Sequence, residues 1–458
     1  MKKFLVLSGL LAMLVPVPGM AEGLSSAVKA DYPYVSDLYE YFHANPELSL
    51  KEKNSSERIA TELKELGFNV TTGVGDRWVR AKVKKTEGSV PEGVGGYGVV
   101  GVYENGDGPT IMIRADMDAL PLEEKTSVSY ASKVRSTDYK GQDAPVMHAC
   151  AHDSHMASMI GTARLLVEMK DQWTGTLVMV GQPAEEIGLG ALAMLDDGLY
   201  KKFPKPDAVL ALHTTGWQPA GVVAYTPGYA LANVDSVDIY VKGIGAHGST
   251  PHLGKDPIVV ASSIVTALQT LVSRELDAQE AGVVTVGSFQ AGYKHNIIPD
   301  AAHLQITVRS YSDEVREQLL SGIKRIARAQ ALSAGLPEEL MPVVEIEQDY
   351  TPSTYNDPDL TAKAVTAIKA AIGSERVTQI RAVMGGEDFS QFSRTDDEIP
   401  ALIFWVGAAD PDAIRTGLAG ETAMPPSNHS PFFAPIKEPT LLAGVESMTA
   451  AAISLLQK

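Results

Sequence analysis

Four short apolar runs, each ending in polar or reactive residues, constrain this chain more than any other feature. They span 110–115, 176–180, 208–212 and 401–406. The first leads into Asp116-Met117-Asp118 and the second into Gln182-Pro183-Ala184-Glu185-Glu186. The third ends at His213, and the fourth enters a Gly/Pro/Asn-rich loop containing His429. Fully apolar strands separated by helical segments predict an α/β sheet covered on both faces. Helical spacing is present at 24–42, 53–66, 153–170, 360–372 and 438–456. Such sheets bind ligands beyond the carboxyl ends of their strands. The acids and histidines sit there.

The pattern changes between residues 235 and 350. Strands are expected at 237–241, 283–289, 304–309 and 343–346, with helices at 257–274 and 314–334. That order, β-α-β-β-α-β, makes a self-contained unit. The predicted fold is therefore α/β. A mixed-sheet catalytic domain over 22–234 and 351–458 carries an inserted smaller βαββαβ domain over 235–350.

Residues 1–21 read as a secretory signal. Lys2 and Lys3 give the charged end, 4–15 the apolar stretch and 16–21 a small-residue exit, with cleavage expected before Glu22. The apolar stretch is short for a membrane span. The expectation is an exported protein, in a bacterial periplasm, without a membrane attachment once the signal is removed. A net charge of −17 argues against nucleic-acid and anionic-membrane partners.

The single cysteine, Cys150, lies two positions before His152 in Met147-His148-Ala149-Cys150-Ala151-His152-Asp153. Thiolate and imidazole suit soft-to-borderline divalent metals. Positions i and i+2 diverge on a helix, so the two can share a site only from a loop. Asp153 and Ser154 are good caps for a helix beginning just after it. Alternatively, Cys150 is a small buried hydrophobe; the surrounding histidines favour metal. His152, His213 and His429 are candidate ligands and His155 a rival. His148 reads as structural, His252, His295 and His303 as ordinary polar residues, and His43 is left open.

Glu185 and Glu186 are costly to bury unless paired or metal-bound. Neighbours in an extended chain point to opposite sides, so one can hold metal while the other faces a water. Asp118 has the character of a group that orients a ligating imidazole. Gly385-Gly386-Glu387-Asp388 reads as a helix start near the cleft. His247, between glycines in the insertion, reads as exposed, with a substrate-facing or oxyanion role.

Several motifs in order carry a resemblance. They are His43-Ala44-Asn45-Pro46-Glu47-Leu48, Arg114-Ala115-Asp116-Met117-Asp118-Ala119-Leu120-Pro121, the Cys150 loop and the Glu185 segment. The His247 segment, Asn296-Ile297-Ile298-Pro299-Asp300, Arg309-Ser310 and Gly386-Glu387-Asp388-Phe389 continue it. Together they resemble the metal-dependent aminoacylase and N-acyl-amino-acid amidohydrolase family of metallohydrolases. The resemblance implies two divalent metal ions; the donors suit manganese or zinc first, with cobalt or nickel as alternatives. Cys150 would bridge them, His152 and His213 would complete one shell, and Glu186 and His429 the other. Glu185 would be the general acid/base. His247, Asn296 and Arg309 would bind the substrate carboxylate and the oxyanion, with His247 supplied in relatives by the partner subunit of a homodimer. The implied reaction is hydrolysis of N-acyl amino acids or small peptides. A metallo-carboxypeptidase or dipeptidase on unblocked peptides and a non-catalytic periplasmic metal- or amino-acid-binding protein are the alternatives. Ala151 and Ser154 stand where the family usually or often has glycine.

Overall fold

The computed structural model describes residues 18–456. The expected signal lies outside the described residues except for its last four, which form the start of a helix, Pro18–Ala44.

Among the described residues, the largest sheet has eight strands. In spatial order they are Asn69–Gly75, Tyr97–Asn105, Gly175–Gln182, Thr110–Asp116, Ala208–Pro219, Ala401–Ala409, Val223–Tyr225 and Val377–Gln379. The central four are mutually parallel, while antiparallel pairings join the outer strands to them. The sheet is therefore mixed, and its centre consists of the four apolar runs. Alternate residues of these strands enter different cores, as a two-residue repeat requires. Ile111, Ile113, Leu210 and Leu212 pack under the helices Lys53–Glu65, His152–Glu168, Pro358–Ile372 and Lys437–Leu456. Met112, Val180, Ala211 and Trp405 pack on the opposite face with Met194, Phe389 and Phe392. Lys437–Leu456 is apolar and long enough to cross a membrane, but here it is a mostly buried core helix.

Two expectations need correction. His213 does not end its strand. The backbone continues to Pro219, because Ala401–Ala409 pairs with it past His213, which lies opposite Trp405. The helix after the Cys150 loop starts at His152 rather than beyond Ser154, with Ala151 as its cap.

The second sheet has the spatial order Gly282–Ala291, Ala301–Ser310, Asp235–Lys242, Val343–Ile346. Helices Pro257–Thr270 and Asp313–Ser333 cover one face, burying Ile239, Leu304, Ile264 and Ile323. Ser312 caps the second helix by accepting from Val315 N–H. The chain enters and leaves this unit at one place, where Val234 and Thr351 exchange backbone hydrogen bonds of 2.8 and 3.2 Å.

Candidate metal centre

Ala151 has φ of 71°, in the left-handed region. Such a residue reverses the local path, so Cys150 and His152 can face one point although only one residue separates them. The turn is held by Ser154, whose Oγ donates to the Ala151 carbonyl at 2.7 Å. The methyl of Ala151 packs with Ala408 and Phe433.

His213 and His429 then arrive from distant parts of the chain. Cys150 Sγ lies 3.5 Å from His213 Nε2 and 3.3 Å from His429 Nε2. Glu186 Oε2 is 3.5 Å from His429 Nε2, and Glu186 Oε1 is 3.9 Å from His152 Nε2. Two overlapping groups result, Cys150–His152–His213 and Cys150–Glu186–His429, each with its ligand atoms within 4.8 Å of one another. The thiol belongs to both.

The imidazoles are oriented to present lone pairs. His152 Nδ1–H donates to the Asp118 carbonyl at 2.7 Å, and His213 Nδ1–H to the Thr214 carbonyl at 2.8 Å. A carbonyl can only accept, so Nε2 is left unprotonated toward the centre in each neutral ring. Among the described residues, His152 Nε2 and Glu186 Oε1 are buried without a hydrogen-bond partner. A sulfur, three imidazoles and a carboxylate converge, and two of their ligand atoms lack any partner. This donor set fits divalent cations.

Electrostatics agree. Burial, followed by the Glu186 charge, pushes the Cys150 thiol up. Burial pushes Glu186 up to about 8. Glu185 is raised by burial, then by Glu387 and Glu186. Burial and His155 push His213 down. Burial would also lower His152, but Asp116 and Cys150 outweigh it. The acids here lack enough positive charge, which bound cations would supply.

Glu185 and Glu186 are not in extended chain, as expected above, but in a turn. Ala184 has φ of 53°, and the oxygens of both glutamates come within 3.9 Å of His152 Nε2. Asp118 orients His152 mainly through its backbone carbonyl. Its carboxylate receives the N–H groups of Glu185 and Glu186, both at 3.0 Å. His155 is committed elsewhere: Nδ1 is 2.6 Å from Asp116 Oδ1, and Nε2 accepts from Thr214 N–H at 2.7 Å. It lies close enough to be grouped with Asp116 and His152, but both its nitrogens are used, so we assign it as a support.

Two contributors were missed from sequence. Asn428 donates to the carbonyls of Cys150 and Thr214 and accepts from Gly216 N–H, fastening the His429 loop to the centre. Arg114, fully buried, joins Asp116, Gln182, Glu387 and Asp388. Only the motif around Arg114 could have signalled either.

A cleft of about 600 Å³ opens from the centre. Trp217, Trp405, Leu231 and Tyr350 line it, and Arg309 reaches it from the small sheet. Glu387 lines it too and caps the short helix Asp388–Phe392, as the glycine-rich motif suggested. His247 and Asn296 do not join them. They lie side by side at the far end of the insertion, where Gly248 N–H donates to the Asn296 carbonyl, and neither is among the described residues lining the cleft. Within this one chain they are therefore separate from the groups that line the cleft.

A centre for two divalent metal ions, buried except toward His429, with a carboxylate beside it at one edge of an α/β sheet, defines a metal-dependent amidohydrolase. The chain belongs to Peptidase family M20/M25/M40, whose model matches residues 112–451. It is 35% identical over 390 residues to thermostable carboxypeptidase 2 of Saccharolobus solfataricus, covering 85% of this chain and 89% of that protein. It is 35% identical over 356 residues to hippurate hydrolase of Campylobacter jejuni, covering 76% and 82%. A crystal structure of a dinuclear metal binding peptidase of the M20 family from Bacillus subtilis superposes with a TM-score of 0.70 at 28% identity, covering 93% and 99%.

Proposed function

We propose that this protein hydrolyses the amide bond of N-acyl amino acids or small peptides and releases the free amino acid. The observation that carries the reading is a second carboxylate, Glu185, 3.9 Å from His152 beside the sulfur, imidazole and Glu186 cluster. When bound, the two cations supply positive charge that acidifies water and polarises a carbonyl. Manganese and zinc are proposed first; cobalt and nickel suit the same donors. Glu185 takes a proton from the attacking water on a carboxylate oxygen as the C–O bond forms. It returns that proton to the amine as the C–N bond breaks, so the carboxylate is regenerated. Arg309 pairs with the substrate's carboxylate from the cleft's other wall.

His247 and Asn296 act in the cleft of a partner subunit in a homodimer. Two features support this. The helix Pro257–Thr270 leaves Ile258 and Val259 exposed, and Gly282–Ala291 is an edge strand with one paired side. An exported, periplasmic location remains part of the proposal on the strength of residues 1–21.

Glu185→Gln tests the chemistry. Hydrolysis of N-acetyl and N-benzoyl amino acids should fall by about 10²–10⁴ with metal content unchanged; full turnover overturns the reading. A second reading, carboxypeptidase action on unblocked peptides, is favoured by the name of the Saccharolobus relative. Faster release of C-terminal residues from free peptides than from acyl-amino acids would establish it.

A further inference from the structure

Glu52 is fully buried and precedes the helix Lys53–Glu65. It lies far in sequence from every candidate ligand. Its Oε1 accepts from Leu50 N–H at 2.9 Å and from Ala184 N–H at 2.8 Å. Both residues are left-handed, with φ of 66° and 53°. One oxygen thus ties together two backbone positions that L-residues adopt only at a cost.

The neighbouring N–H groups are received in the same way. Asp118 Oδ1 takes Glu185 N–H and Oδ2 takes Glu186 N–H; Ser49 Oγ–H donates to Oδ2 at 2.6 Å. Three successive amides, 184 to 186, therefore point into a pocket filled by two buried carboxyl groups. Converging amides of this kind form an anion-binding nest, and here the chain itself fills it. Ser49 and Glu52 come from one turn, so that turn braces the segment carrying the proposed base and one proposed ligand.

We propose that Glu52 is a positioning residue for hydrolysis: by holding Ala184 in its left-handed turn, it sets where the Glu185 and Glu186 carboxylates stand relative to each other. It touches no substrate and no reacting atom. The inference rests on the roles given to Glu185 and Glu186 above.

The hydrogen bonds need an acceptor at Oε1, not a negative charge. Glutamine keeps a carbonyl oxygen there; leucine removes it; aspartate withdraws it by one methylene. Glu52→Leu and Glu52→Asp should lower kcat by about a hundredfold, the loss expected of a misplacement of about 1 Å. KM should change little, because Arg309 and the cleft walls are untouched. Both variants should also lose metal faster to a chelator, a readout independent of turnover. Glu52→Gln should restore kcat and metal retention to within about threefold of wild type.

If the leucine variant does not fold, the aspartate and glutamine pair decides alone. The proposal is overturned if folded Glu52→Asp or Glu52→Leu matches wild type in kcat and metal retention, or if Glu52→Gln is as impaired as Glu52→Asp. Glu185→Gln is assayed in parallel. If that variant is inactive while the Glu52 variants are normal, only the present inference fails; if it is fully active, the reading of the site fails first.

Discussion

His43 Nδ1 lies 2.7 Å from Asp153 Oδ2, which joins the first helix to the residue following His152. On its other side, His43 Nε2 is 3.1 Å from Glu124 Oε1. An imidazole left open in the sequence thus becomes the cation of a buried triad behind the metal centre. His43→Ala should cost about 3–5 kcal/mol, because it leaves two carboxylates without their partner. Denaturant unfolding checks this; a loss below about 1 kcal/mol would mean the triad is not an ion pair.

The same triad fixes a pH dependence. Burial pulls His43 down, but Asp153 and Glu124 outweigh it and raise it from 6.5 to about 9. Its contribution is complete below pH 6.5 and is lost as pH rises through about 9. Asp153 and Glu124 are depressed, against burial, from 3.8 and 4.5. Their contribution is present above those values and is lost as pH falls below them. The stability difference between wild type and His43→Ala should therefore be largest between about pH 4.5 and 6.5. A difference that grows toward pH 9 would contradict the assignment.

Metal loading should release protons. Cys150 is pushed up by burial and Glu186 to about 8, so both carry protons at pH 7 before metal binds. Apparent affinity should rise from pH 6 to 8. Binding heats should differ between buffers of different ionisation enthalpy, and identical heats in both would refute proton release.

Arg114 is the counter-charge for Asp116, Glu387 and Asp388. Arg114→Met keeps the volume and removes the charge. It should destabilise by about 3–5 kcal/mol, read as a fall in melting temperature. An unchanged melting temperature would show that the carboxylates are neutral without it.

Mixed dimers test the proposed shared site. Glu185→Gln and His247→Ala homodimers should each be nearly inactive. Unfolded and refolded together, they should recover about a quarter of wild-type activity, because half the dimers are mixed and each mixed dimer has one intact site. No recovery from a sample shown to contain mixed dimers would exclude an imidazole donated across the interface.

What could be read from the chain depended on where its information is local. The four central strands stood out because burial on both faces demands uninterrupted apolar runs. Cys150, His152, His213, Glu186 and His429 stood out because their donor chemistry is uncommon at strand ends and loops. The edge strand Asn69–Gly75, mostly exposed, carries no such run and was not anticipated. The extension of His213's strand to Pro219 depends on a partner two hundred residues away. Ala184 occupies a conformation usually announced by glycine, so its turn had no signal, whereas the turn at Ala151 was foreshadowed by the need for a loop there. Glu52 and Asn428 act by bonding to distant backbone groups, which spacing along a sequence does not reveal.

The paired backbone at Val234 and Thr351 has a consequence for how substrate is gripped. Both crossings between the two units lie side by side, so a swing about that pair breaks none of the strands on either side. Arg309 would travel with the smaller unit, while Glu185 stays with the larger sheet. With the roles proposed for Arg309 and Glu185, the carboxylate clamp and the proton carrier would sit on opposite sides of that junction, and a molecule long enough to touch both would bridge the two units.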